Sequence, residues 1–480
     1  MRKVLGIVFA AVVLGAAALY LAGVRVELDG GTMPRFVSTL PDYDALEADR
    51  ARQREQPLLE ATTAITETTA PTGPAPATDP AAAPAMPAPV PAAPARGAWT
   101  DFRGPKRDGR YEGPPILMDW PSAGLRLLWK QPVGLGYASF VAAEGRAFTI
   151  EQRRTQEVVA AYDVATGREL WTNGWSGEFR ETMGGDGPRA TPTYHDGRVY
   201  ALGALGELRS LDAKTGAVSW RRQILQENGA SNLEWGMSGS PLIVDDMVVV
   251  LPGGPGGRSV VAYHKSTGEP AWRSLNDRQA YVSPMLVTLA GVRQILVVSA
   301  SRVMGITTDA GRVLWEYPWQ NDTGINVAQP LLLDGDRVFL SSSYGGGAAM
   351  IAVTRDGDTY STKLLWSNQR MKNKFTSSVL LDGFIYGLDE NILACVDAAT
   401  GDVKWKAGRY GYGQLMLAGD RLIVITEDGR IVQVRATPER HEELVDFEAL
   451  RGKTWNHPAI VDGRLLVRNG SEMAAFDLRK

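Results

Sequence analysis

The sequence predicts an all-β fold: an eight-bladed β-propeller preceded by an N-terminal transmembrane helix and a disordered Pro/Ala-rich linker. Three observations predict it. A turn-and-ring motif recurs from Trp99 to the C-terminus, Asp-Gly hairpin turns recur with it, and the strand missing from the last repeat stands ahead of the first. A period of about 40–45 residues with four short strands per period marks a propeller. A seven-bladed ring is the nearest alternative.

The elements follow in order. Arg2 and Lys3 precede an apolar run from Val4 to Val24. At 1.5 Å rise per residue such a run spans a hydrocarbon core of about 30 Å. Positive charge on the short N-terminus places it inside, so residues 1–24 read as a signal-anchor helix and the rest as exported. A cleaved signal peptide, with Ala16-Ala17-Ala18 as its small-residue site, is the alternative. Either way the body is expected on the periplasmic side of the inner membrane. No cysteine follows the apolar run closely, which excludes a lipoprotein anchor. Residues 25–60 form a short juxtamembrane segment in which Asp44 to Glu55 predicts a helix. Residues 61–98 are rich in Ala, Pro and Thr, cannot bury enough apolar surface to fold, and predict an extended spacer.

Residues 99–480 carry the repeats. Asp-Gly recurs at Asp196-Gly197, Asp334-Gly335, Asp382-Gly383, Asp428-Gly429 and Asp462-Gly463, each between apolar runs, a strong hairpin signal. The second mark is AYDVATGRELW (161–171), echoed at 210–220, 262–272, 305–315 and 395–405. It reads as a strand, a tight turn at Thr-Gly, and a returning strand ending on a large ring. Asp163, Asp212 and Asp397 are expected to bond backbone amides of that turn. The rings are Trp129, Trp171, Trp220, Trp272, Trp315, Trp366 and Trp405, with Phe447 as the eighth, spaced 39 to 52 residues apart. The chain stops after Ala474-Ala475-Phe476-Asp477, where a returning strand is due, and LRLLWKQPVG (125–134) supplies it. An unclosed ring would leave a bare sheet edge.

Composition narrows the partners. A net charge of −3 argues against nucleic acid, which needs a basic field. The single cysteine, Cys395, excludes an intrachain disulfide and a Cys-based metal site. A monomer is expected.

The loops leading into each innermost strand should meet at one funnel mouth. They contribute Arg189, Trp235, Tyr281, Asn326, Asn373, Lys374, Tyr412, Trp455, Asn456 and His457. Aromatic, cationic and amide side chains of this kind can stack on a planar ligand or anchor a peptide. The opposing reading has them filling the narrow end of the funnel. His195, His264, His441 and His457 show no two-His metal spacing, and His457 alone lies where an acid/base group is of use.

At Ala161, Asp163, Thr166, Gly167 and Trp171 the motif resembles the tryptophan-docking repeat of pyrroloquinoline-quinone (PQQ)-type quinoproteins. The repeat is also similar to that of the propeller lipoprotein of the outer-membrane β-barrel assembly machinery, and to exported PQQ-like propellers. WTDFRGPKRDG (99–109), GDGPRATPTY (185–194) and WGMSGSPL (235–242) carry the likeness to that last group. The dehydrogenases imply PQQ with calcium, a disulfide of adjacent cysteines and a catalytic Asp. This chain cannot make the disulfide, so no cofactor is expected. The resulting expectation is a non-enzymatic, membrane-tethered scaffold that binds a protein or extended ligand at the mouth. The alternative is a quinoprotein-type oxidoreductase.

Overall fold

The computed structural model describes the backbone of residues 2–22, 24–28, 34–38, 43–55 and 97–480. The spacer expected at 61–98 falls almost wholly outside these residues. Helix α1 spans Arg2–Leu21 and is followed by a two-stranded antiparallel hairpin, Val24–Leu28 with Pro34–Ser38, which the sequence did not signal. Among the described residues no helix is long and apolar enough to cross a membrane. The expected span rests on 4–24, and the side chains of 4–10 lie outside the description.

Eight sheets of four antiparallel strands follow, one per repeat, and that of blade 7 carries a fifth, parallel strand from the segment ahead of the ring. Blades 1 to 8 start with the innermost strands Val141–Ala143, Thr193–His195, Leu242–Val244, Met285–Leu289, Leu331–Leu333, Val379–Leu381, Gln414–Ala418 and Ala459–Val461. The ring closes as expected. Leu127–Pro132 pairs antiparallel with Glu472–Asp477, with Ala475 opposite Trp129, so the first propeller strand completes blade 8. The second and third strands of each blade are mostly buried, as in Arg198–Leu202 and Glu207–Asp212, while outer strands are largely exposed, as in Val313–Pro318 and Leu127–Pro132.

The motif explains how blades lock. Asp163 accepts bonds from the Thr166 amide and hydroxyl at 2.8 Å, and Asp212 does the same with Thr215. The turn glycine then meets the ring of the preceding blade. Gly216 has φ +73°, and a Cβ there would stand 2.5 Å from the Trp171 ring. Both the backbone angle and the close approach demand glycine. Indole N–H groups donate to the next blade: Trp129 to the Val164 carbonyl, Trp171 to Ala213, Trp220 to Lys265, Trp366 to Ala398 and Trp405 to Thr437. Trp315 departs from this and donates to the Gln294 side chain of its own blade at 2.6 Å. Blade 5 has a long hairpin, Gly347–Asp356 with Thr359–Asn368, in place of a Thr-Gly turn.

Two segments attach to the ring. Helix α2, Tyr43–Glu55, covers the expected helix and docks at the seam of blades 8 and 1. Leu46 is buried, and Arg50 reaches the Pro132 carbonyl at 2.8 Å, the Gln131 amide oxygen at 2.9 Å and Glu169 at 3.2 Å. The second segment, 99–111, enters the axial channel as a plug. Trp99 pairs with Ala142 of blade 1, Thr100 accepts the Tyr194 amide of blade 2, and Arg110–Tyr111 adds a parallel strand to Leu417–Ala418 of blade 7.

Candidate functional site

Along each innermost strand the chain runs from its leading loop to the hairpin that returns it. The leading loops and the hairpins therefore lie at opposite ends of the channel. The leading loops build the mouth.

The mouth is a chain of rings. Trp455 lies 5.3 Å from Tyr137 and 4.6 Å from Phe375, and Phe375 lies 5.6 Å from Tyr412, centroid to centroid. Trp235 and Tyr281 make a second pair at 5.6 Å. These distances fall in the range where aromatic pairs attract beyond area burial. Cations sit on the ring faces. Lys374 Nζ is 4.4 Å from the Tyr412 centroid, Lys453 Nζ is 4.6 Å from that of Trp455, and the Arg189 guanidinium is 4.5 Å from Phe179. Glu427 orients the cluster by accepting the Trp455 indole N–H at 2.8 Å and the Tyr412 amide at 3.2 Å. Such cation–π contacts hold charge at a partly dry surface.

Six of the ten residues expected at the mouth, namely Arg189, Trp235, Tyr281, Lys374, Tyr412 and Trp455, take part in these ring and cation contacts. The other four point elsewhere. Asn326 donates to the Ser299 carbonyl, Asn373 to the Leu388 carbonyl, and Asn456 to the Gly136 and Ala138 carbonyls, all buried. His457 is 2% exposed and packs against Trp99 and Phe102 of the plug. Its ring nitrogens face the carbonyls of Pro458 at 2.7 Å and Leu415 at 3.1 Å. Burial, aided by Arg103, pushes it down to about 3, so it is neutral and walled off from any substrate. The acid/base expectation for His457 therefore fails on access. Phe375, Tyr344, Lys453 and Phe179 were not anticipated, although Phe375 adjoins Lys374 and Lys453 stands two residues before Trp455 in the sequence.

Under the mouth, the plug crosses the channel on two arginines. Arg103 donates to the Ser377 and Ser378 carbonyls of blade 6 at 3.1 and 2.7 Å. Arg107 donates to the carbonyls of Ser240 at 3.2 Å and Pro284 at 2.8 Å and pairs with Asp101 at 2.9 Å. Burial lowers Arg103 to about 10. Both residues have positive φ, 64° and 58°, which bends the plug so that their side chains splay toward different blades.

Two carboxylates six residues apart in blade 1 feel opposite fields. Glu151 is fully buried, yet Arg153, Arg468 and Arg50 outweigh burial and hold it at about 2. Glu157, toward the mouth, is pushed up to about 7 by burial, against the bonds it accepts from the Ala204 amide and the Trp175 indole.

The quinone and calcium of the dehydrogenases do not fit these residues. Cys395 is alone and buried in the wall of blade 6, so no disulfide can cover a quinone. Among the described residues no group of three or more His, Cys, Asp or Glu is placed to hold a metal ion.

With this geometry in hand, known proteins bear on the chain. The family model described as outer membrane protein assembly factor BamB matches residues 126–407. A BamB of that description from Burkholderia pseudomallei (strain K96243) is 24% identical over 380 residues, 68% of this chain and 93% of the relative. One from Shewanella oneidensis (strain ATCC 700550 / JCM 31522 / CIP 106686 / LMG 19005 / NCIMB 14063 / MR-1) is 24% identical over 330 residues, 57% of this chain and 79% of the relative. In fold, the chain is similar to BamB from Moraxella catarrhalis (TM-score 0.53, 15% identity, 74% of this chain and all of that one). It is also similar to a quinohemoprotein alcohol dehydrogenase from Pseudomonas putida HK5 (TM-score 0.58, 15% identity, 80% of each chain). The matched residues span more than half of the chain and include the repeats that form blades 1 to 6, so the chain belongs to the outer membrane protein assembly factor BamB family of PQQ-like β-propellers.

Proposed function

We propose that the chain is a binding scaffold, held at a membrane outside the cytoplasm, that receives a protein partner on its aromatic mouth. The observation that carries this reading is the contiguous set of Tyr137, Trp455, Phe375 and Tyr412 with Lys374 and Lys453 on their faces. Large rings with few rotamers, half-buried and rimmed by charge, are the groups that carry protein–protein contacts. Relatives named as outer membrane protein assembly factors point to a component of that assembly system as the partner. Attachment through the N-terminus is supported by the basic pair and apolar run of residues 2–24. A monomeric propeller is part of the same reading.

The test places a photo-crosslinking amino acid at position 235 or 375 of the full chain in cells. The expected product is one discrete adduct with an outer membrane assembly component, absent when the residue is placed at exposed Asp358 instead. Failure to form that adduct, or saturable PQQ binding with dye-linked alcohol oxidation by the purified chain, would overturn the scaffold reading.

A further inference from the structure

The end of the channel away from the mouth holds a cavity of about 950 Å³ between the plug and the hairpin ends of blades 2 to 6. Its wall repeats. In blades 3 to 6 the second residue of each innermost strand lines the cavity: Ile243, Leu286, Leu332 and Leu380. All four are only partly buried, whereas the corresponding Ala142, Met416 and Ile460 are fully covered. The plug pairs its backbone with blades 1, 2 and 7, and meets blades 3, 4 and 6 only through Arg107 and Arg103 at carbonyls ahead of their innermost strands, which leaves the four side chains facing the cavity.

The same four strands are sheet edges. Among the described residues each ends its sheet with no further strand, while blade 7 has acquired one from the plug at Arg110–Tyr111. An aliphatic arc backed by unpaired strand edges asks for a ligand that satisfies both. A hydrocarbon chain would cover the side chains but leave backbone N–H and C=O groups dry, which costs free energy for each group. An extended peptide pairs with the edge and turns alternate side chains onto the arc.

We propose that this chamber binds an extended peptide segment of alternating apolar character, which adds as a strand to a free inner edge of blades 3 to 6 beside Ile243, Leu286, Leu332 and Leu380. The bound segment spans three to five residues, the length of those edges. The plug strand on blade 7 is the precedent for such an addition within this channel. The site lies at the other end of the channel from the mouth and does not depend on the mouth's partner.

The probe is a fluorescein-labelled heptapeptide of alternating Thr and Val, titrated into the full chain. Saturable binding is expected, at least tenfold weaker for the same peptide with N-methylated valines. Thr288, exposed at the chamber wall, gives a variant that spares the core. Cys395 is buried and its thiol is pushed up to about 12 by burial, so a Thr288→Cys chain carries one reactive thiol. Capping that thiol with a bulky maleimide should abolish binding, as should Leu286→Asp, while Trp455→Ala at the mouth leaves it unchanged. Equal affinity for the N-methylated peptide, competition by palmitate, or no saturable binding overturns the proposal. Loss of binding with Trp455→Ala also overturns it, by moving the peptide to the mouth.

Discussion

The two ends of the channel are built by different parts of the repeat. The mouth comes mainly from the leading loops, which differ in every blade, and it is asymmetric: the longer run of rings lies on blades 1, 6, 7 and 8, at Tyr137, Phe375, Tyr412 and Trp455, and a smaller group on blades 2 to 4, at Arg189, Trp235 and Tyr281. The other end comes from the strands themselves, which repeat, and in blades 3 to 6 it shows a partly buried aliphatic side chain on each innermost strand. A repeat fold thus offers side-chain recognition where its loops vary and backbone recognition where its strands do not. The plug separates the two, so its removal is the strongest challenge to the contrast. Arg107→Met strips the carbonyls of Ser240, Pro241 and Pro284, just ahead of the inner strands of blades 3 and 4, and Asp101 of their buried partner, and should cost about 3–5 kcal/mol of unfolding free energy. Urea unfolding of the full chain measures it, and a loss under about 1 kcal/mol would make the plug a passenger.

Within the mouth end itself, the neighbouring carboxylates Glu151 and Glu157 of blade 1 give the next contrast. Toward the mouth, folded Glu157 keeps its proton up to about pH 7, whereas an unfolded Glu releases it near pH 4.3, to about a unit. Between these values the folded state binds more protons, so stability falls as pH rises through that window, by about 3 kcal/mol in all. Glu157→Gln should flatten that slope. Glu151 acts in the opposite sense: held at about 2, it contributes stability above the unfolded value that is lost as pH falls toward 2. Unfolding free energies at pH 5, 6, 7 and 8 for both chains decide it, and parallel slopes would mean that Glu157 is already ionised. At the mouth itself, Trp455→Ala removes the ring that bridges Tyr137 and Phe375 and should weaken partner binding by about 2 kcal/mol, roughly thirtyfold. Equal affinity for the variant would detach the partner from the mouth.

The ring was legible in the sequence because its determinants are local. Asp163, Thr166 and Gly167 close a turn within five residues, and the ring at Trp171 follows on the same hairpin. Closure was legible because a missing strand is a deficit that only Leu127–Pro132 filled. The plug was not. Arg103 and Arg107 are satisfied by carbonyls 274 and 133 residues away, and no local pattern announces such partners. The mouth was legible in part. Asn326, Asn373, Asn456 and His457 sit where the leading loop dips into the wall before its strand begins, and there a polar side chain serves a carbonyl rather than a ligand. Rings in the same loops find one another instead: Trp235, Phe375 and Trp455 stay partly exposed, while Tyr412 is buried beneath its neighbours.

The finest difference between the two ends is charge. Lys374 rests on Tyr412, with Phe375 at 5.3 Å and Tyr344 at 5.7 Å, so the mouth carries a cation on its rings, whereas the cations lining the chamber, Lys106, Arg107 and Arg110, belong to the plug. A rim charge of this kind steers association more than it adds affinity. Lys374→Met should therefore weaken the partner by less than about threefold while lowering the association rate and its dependence on salt. Lys372→Met is the control, since Lys372 pairs with Asp389 at 3.5 Å rather than lying on the rings. Stopped-flow association at 50 and 300 mM salt separates the two. If both variants slow binding equally, the mouth works through its net field. If only Lys374→Met does, the position of the charge on the rings is what the partner meets.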